Sequence, residues 1–146
     1  MSQTNYNGLK ISMNNFIETN LSDFIIVFDE NFADPETFES GSKWLTPIYG
    51  DCNPSSVVKE IEFFIYCFSK GDIEGLEMSE MIDKVCSIFS DPAQNDGNKR
   101  IPFNIVKDGS LLQVSTIIAS DISIEGTFRL GDSTLGQAVR FNLLWC

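Results

Sequence analysis

The alternation of apolar and polar positions picks out the elements. Residues 57–68 alternate most cleanly. Ile61, Phe63, Ile65 and Cys67 share one face, and Glu60, Glu62, Phe64, Tyr66 and Phe68 share the other, the period of two that a strand requires. The second face passes from charged to aromatic along its length. This predicts a strand half exposed at its start and buried on both faces at its end. Residues 73–89 carry the other strong signal. Met78, Met81, Ile82, Val85, Ile88 and Phe89 recur at helical spacing. Asp72 is placed to cap that helix, Glu74 and Glu77 suit the positive end of its dipole, and Pro92 fits a stop after Ser90. A shorter helix is predicted over 9–21, with Leu9, Met13, Phe16, Ile17 and Leu21 near one face.

Weaker patterns fill in the rest. Residues 1–8 are polar and expected to be loose. Phe24-Ile25-Ile26-Val27-Phe28 is bulky and β-branched or aromatic, which predicts a buried strand. Asp29 to Ser42 holds five acids, one Pro, one Gly and no base. So long and charged a loop is expected to be mobile until it docks on something. Residues 43–49 read as extended, and Pro47, which cannot donate to a ladder, predicts an edge strand or a bulge. Turn material follows at 50–56 and a polar loop at 91–99. The last third reads as β over 101–106, 111–124 and 135–145, with a bend near Ala119-Ser120-Asp121 and turns at 107–110 and 130–133. The fold class expected is α+β: an antiparallel or mixed β-sheet with one main helix packed on one face and a short N-terminal helix.

Length and charge sharpen this picture. The 146 residues make one domain, 1–146, and their 42% apolar content supports a core without staples. Residues 1–96 hold 17 acids and 5 bases, whereas residues 97–146 hold 4 acids and 5 bases. An acidic surface repels nucleic acid and anionic lipid. The four cysteines, Cys52, Cys67, Cys86 and Cys146, form no CxxC pair. The first 20 residues are polar, and no apolar run is long enough to span a bilayer. A protein of the reducing cytoplasm with free thiols is therefore expected.

The candidate chemistry is thin. The chain has no histidine, which removes the commonest general base, the commonest metal ligand and every Ser-His or Cys-His pair. No phosphate-binding loop, dinucleotide glycine fingerprint, nucleophile elbow or EF-hand spacing is present. Asp29-Glu30 and Glu36/Glu39 are carboxylate pairs in an acidic loop, a pattern that reads first as a solvated face. No enzymatic activity, cofactor or metal is expected. Lys99-Arg100 is the one basic cluster, and it reads as an exposed turn. Interaction residues are more promising. Trp44 and Leu45 lie on the predicted edge, which needs a cover, beside the loop acids Asp29, Glu30, Asp34, Glu36 and Glu39; the alternative for Trp44 is a place in the core. Arg129 and Arg140 sit singly in strand regions, where pairing across a sheet or an interface is favoured over phosphate contact.

One run of residues resembles a known family. It comprises Phe24 to Phe32, then Trp44-Leu45, then the strand ending Ile65-Tyr66-Cys67-Phe68-Ser69-Lys70-Gly71-Asp72, then Gly75 with Met78, Ile82, Asp83 and Val85. This run is similar to the tail terminator, or tail-completion, proteins of long-tailed bacteriophages. There a Trp-containing strand precedes a strand that leads through an Asp and a Gly into the main helix. Ile101-Pro102-Phe103 resembles the strand that follows. The resemblance covers roughly residues 21–106. It implies a structural virion protein that forms a ring, usually of six copies, capping the tail tube at its head-proximal end and offering a joining surface to the head or its connector. It implies as partners further copies of the chain, the tail tube protein and head–tail connector or neck proteins. DNA would pass through the lumen unbound, and no membrane would be involved. Location in the virion tail or neck, after assembly in the host cytoplasm, goes with it. A globule of this size is about 38 Å across, and six in a touching ring leave a hole of about that width, enough for a DNA duplex. The alternative expectations are a head–tail connector or neck subunit, and a small cytoplasmic module that binds a protein partner.

Overall fold

The computed structural model of the chain describes residues 6–28, 30–53, 57–131 and 133–146. The looseness expected for the first residues, the expected contact residue Asp29 and parts of the turns at 50–56 and 130–133 fall outside the described residues, wholly or in part. The chain is α+β, as expected. The elements are α1 (Tyr6–Asn20), β1 (Ile25–Ile26), β2 (Lys43–Asn53), β3 (Lys59–Lys70), α2 (Leu76–Ile88), β4 (Arg100–Lys107), β5 (Ser110–Ile124), β6 (Phe128–Leu130) and β7 (Thr134–Trp145). They build one mixed sheet in the order β1-β2-β3-β7-β5-β4, with β6 paired to β7. Among the described residues β1 pairs with β2 in parallel, and the other pairs are antiparallel.

The two helices share one face of the sheet. The alternation of β3 works as predicted: Ile61, Phe63, Ile65 and Cys67 are all buried in the core beneath them. α1 contributes Leu9, Met13 and Ile17, and α2 contributes Met78, Met81, Ile82 and Val85. Phe89, just past α2, stacks on Phe141 of β7 at 4.3 Å. Asp72 does cap α2, from a distance in sequence: its carboxylate accepts the Met78 amide at 2.8 Å, while Gly75 turns the chain into the helix with φ of 75°, a conformation that suits glycine. α1 is the longer helix, 15 residues against 13, so the expectation of a short N-terminal helix is corrected. Its start was hidden by Gly8 and by helix-indifferent Asn7. Tertiary contacts hold it instead. The Ser12 hydroxyl accepts the Asn104 amide of edge strand β4 at 2.7 Å and donates to the Gly8 carbonyl at 2.8 Å.

The opposite face carries a second, aromatic layer. Trp44 of β2 and Phe68 of β3 are fully buried there. Residues 30–42 lie over them. Phe38 stacks on Trp44 at 4.0 Å and 14°, and Phe32 packs on Tyr66 at 4.9 Å and on Phe68 at 5.2 Å. The same segment holds a single 3-10 turn, Pro35–Thr37, capped by Asp34, whose carboxylate accepts the Glu36 amide at 3.0 Å. Lys70 clamps it, donating to the carbonyls of Pro35 and Phe38 at 2.8 Å each. The expectation of a free, mobile acidic loop is thereby corrected for residues 30–42. Phe32 and Phe38, resting on the buried rings of Phe68 and Trp44, and a bidentate ammonium supply the anchoring that five carboxylates alone do not. Strand β6 closes the layer. Phe128 rests on Gly136, where a Cβ would stand 2.5 Å from the ring.

Candidate functional site

The register of β4, β5 and β7 makes an arm. Ile118 of β5 pairs with Leu144, one residue from the end of β7. The preceding residues of β5 continue past that end, paired only with β4. Lys107-Asp108-Gly109-Ser110 turns the hairpin. Asp108 and Gly109 have φ of 52° and 78°, the left-handed pair that an Asp-Gly turn supplies. The seven residues 110–116 carry the arm about 20 Å beyond β7 at a strand's rise per residue. α1 covers its root, through Ser12 and Asn104. Every residue from 106 to 114 is exposed.

The tip of this arm is apolar. Val106, Leu111, Leu112 and Val114 are between 45% and 59% exposed. Val106 faces Leu111 and Ile105 faces Leu112. Paired residues share a face and successive pairs alternate, so both faces of the tip carry aliphatic side chains. Val114 falls at the register shift opposite Phe103/Asn104. The sequence gives the turn and the strands away but not the exposure. Its available signal was the lost alternation in Ser110-Leu111-Leu112-Gln113-Val114.

A second exposed apolar patch lies at the opposite end of the sheet. β3 runs from Lys59, beside Trp145, to Lys70, beside Thr134. The arm leaves from the Lys59–Trp145 end. The link from β3 to α2 lies at the Lys70–Thr134 end, and there Ile73 is 89% and Leu76 63% exposed. With Gly71, Asp72, Glu74 and Glu77 they line an open shallow depression. Arg129 and Ser133 border the neighbouring hollow over Gly71 and Asp72.

The residues expected to make contacts divide. Trp44 and Leu45 are fully buried within the chain, and β1 pairs with them as Ile25↔Trp44 and Ile26↔Leu45. Neither has surface to offer a partner, so both are withdrawn as interface residues. The buried strand expected at 24–28 is corrected by the same geometry: two residues pair as an edge, and Ile25 and Phe28 are exposed. β2 beyond Leu45 has no strand on its outer side among the described residues, and Pro47 sits there with a register shift following at Tyr49/Cys52, as its missing donor predicts. Glu30, Asp34, Glu36 and Glu39 are at the surface. Glu30 pairs with Lys10 at 3.1 Å. Arg140 reaches across the sheet to Glu62 at 3.5 Å and to Glu125 at 3.9 Å. That is the pairing across a sheet expected of it, and its side chain stays partly exposed. Arg129 is exposed.

Burial and neighbouring groups shift several titratable side chains. Burial pushes the Cys67 thiol far up, with the neighbouring Cys86 adding to it. Burial also raises Cys52, and raises Cys86 with a push from Asp83. Raised thiols are poor nucleophiles. Burial raises the Tyr49 phenol, which donates to Asn14 Oδ1 at 2.9 Å. A side-chain hydrogen bond from Arg100 holds Asp96 below the usual carboxylate range. Among the described residues no three His, Cys, Asp or Glu side chains gather closely enough to hold a metal ion. Among them, too, no helix is long and apolar enough to cross a membrane. Neither the protein-family models nor the curated proteins give a match to this chain.

Proposed function

We propose that this chain is a structural subunit that works by assembling, and that its station is the tail terminator of a long-tailed phage. The observation that carries the assembly reading is the β4–β5 arm. A two-stranded hairpin is marginal by itself in water. This one presents Val106, Leu111, Leu112 and Val114 to solvent in the free chain. Covering those side chains with a partner removes apolar surface from water at about 25 cal/mol per Å². The chain also has no histidine, the commonest general base.

The terminator station rests on the resemblance, and the fold is compatible with it. A Trp-bearing strand, β2, precedes β3, and β3 leads through Asp72 and Gly75 into α2. A tube grows because each ring offers the next an identical surface, a heterologous contact that does not close. Stopping it takes one face that binds the tube and another that rejects further tube subunits. The net −12 of residues 1–96, from 17 acids and 5 bases, supplies repulsion of the kind specificity uses. The purified protein, mixed with polymerising tail tube protein, is expected to form rings by electron microscopy and to cap tubes at one end. Deleting the gene from its phage is expected to leave heads and tails unjoined and tubes of abnormal length. Normal tails and infectious particles from the deletion overturn the terminator reading.

A further inference from the structure

We infer that the β4–β5 arm of one copy docks on the Ile73–Leu76 patch of a second copy, a head-to-tail contact between opposite ends of the same sheet. This rests on the assembly reading above and names its partner surface. Both sites expose aliphatic side chains, and the register places them at opposite ends: the arm leaves beyond Trp145, and the patch follows Lys70. A donor and an acceptor so placed are consumed by different neighbours. That is the heterologous arrangement, which closes into a ring or runs on as a fibre according to the rotation between copies.

Charge disfavours the pairing of patch with patch and leaves the arm free to approach the patch. The patch is flanked by Glu74 and Glu77. Patch against patch brings two pairs of glutamates together, and like charges placed face to face suppress an association. The arm belongs to the part of the chain, residues 97–146, that holds 4 acids and 5 bases. Its tip carries Lys107 next to Asp108 and is otherwise uncharged. It approaches the acidic rim without repulsion, and Lys107 can meet a glutamate there. The aliphatic tip then covers Ile73 and Leu76, the most exposed apolar side chains at that end.

The test uses two full-length double variants, L111E/L112E in the arm and I73E/L76E in the patch. All four positions are exposed, and near-native circular dichroism checks the fold of each. Size-exclusion chromatography with light scattering reads the mass. The wild type is expected to run as an oligomer and each variant alone as a monomer of 16.4 kDa. An equimolar mixture is expected to give a dimer and nothing larger, because the patch variant lends its intact arm to the arm variant's intact patch. If the patch variant assembles like wild type, or the mixture stays monomeric while the wild type assembles, the arm docks elsewhere: this inference falls and the assembly reading stands. A monomeric wild type at 100-fold the concentration used for the variants overturns both.

Discussion

Trp44 shows how much one side chain can hold together. It lies between Phe38 and Phe68, with ring centroids 4.0 and 5.5 Å away, and is fully buried. Truncating a buried Trp to Ala removes its transfer energy and leaves a cavity, about 3–5 kcal/mol together. In a domain of this size that lowers the melting temperature by about 10–20 °C. Compared in the I73E/L76E background, which lacks assembly through the arm, Trp44→Ala is therefore expected to unfold early in a thermal scan, whereas Leu112→Ala, at the exposed arm tip, is expected to melt within a degree or two of its parent. Equal melting temperatures for the two variants would contradict the assignment of Trp44 to the inside and Leu112 to the outside. Both are large apolar residues in β segments. Their different surroundings depend on β1 and Phe38 in one case, and on the end of β7 in the other.

Among the elements, the acidic loop is the one most changed by its tertiary contacts. Residues 30–42 are fastened by rings and by the Lys70 ammonium, which donates to two carbonyls. Charge-assisted hydrogen bonds of this kind contribute about 1.5–3 kcal/mol each at most, less where water reaches them. Lys70→Met keeps the aliphatic stem and the strand backbone but removes both donations. Amide exchange is expected to speed up at Phe38, Gly41 and Ser42, whose amides bond locally to Pro35, Lys70 and Glu39, and to stay unchanged in the centres of β3 and β7. Exchange that is unaltered throughout would mean the rings alone hold the segment. The sequence showed where β3, α2 and β7 run because each has a buried face long enough to repeat its period, and where β5 runs from its β-branched residues and flanking turns. It did not show β6, three residues whose place is set by Phe128 lying on Gly136, a contact between distant positions. The full length of α1 was hidden for the same reason. In the loop, five carboxylates masked the signal of Phe32, Pro35 and Phe38. Of the residues expected to make contacts, the surface position of Glu30, Asp34, Glu36 and Glu39 was legible from charge alone. The arm was not, because exposure depends on where a neighbouring strand stops.

At the scale of the whole molecule, the sheet is a wall with a packed layer on each side, and the layers are unequal. The helix side joins two helices to five strands in one aliphatic and aromatic core. The loop side rests on stacked rings, and beneath it the Trp44 indole N–H and the Thr46 hydroxyl are buried with no hydrogen-bond partner among the described residues, each at a cost of about 1–3 kcal/mol. The chain's two tryptophans fall one on each side. Trp44 belongs to the loop side, while Trp145 lies in the helix-side core at 6.4 Å from Phe103. Nature has thus installed two intrinsic fluorophores as separate gauges of the two layers. In Trp44→Phe the emission reports the helix side alone, and in Trp145→Phe the loop side alone. On a denaturant ramp the loop-side emission is expected to shift red first, at a lower urea midpoint, so that the wild-type curve is the sum of two steps. Coincident midpoints would instead mean that the shared wall couples the layers into one cooperative unit.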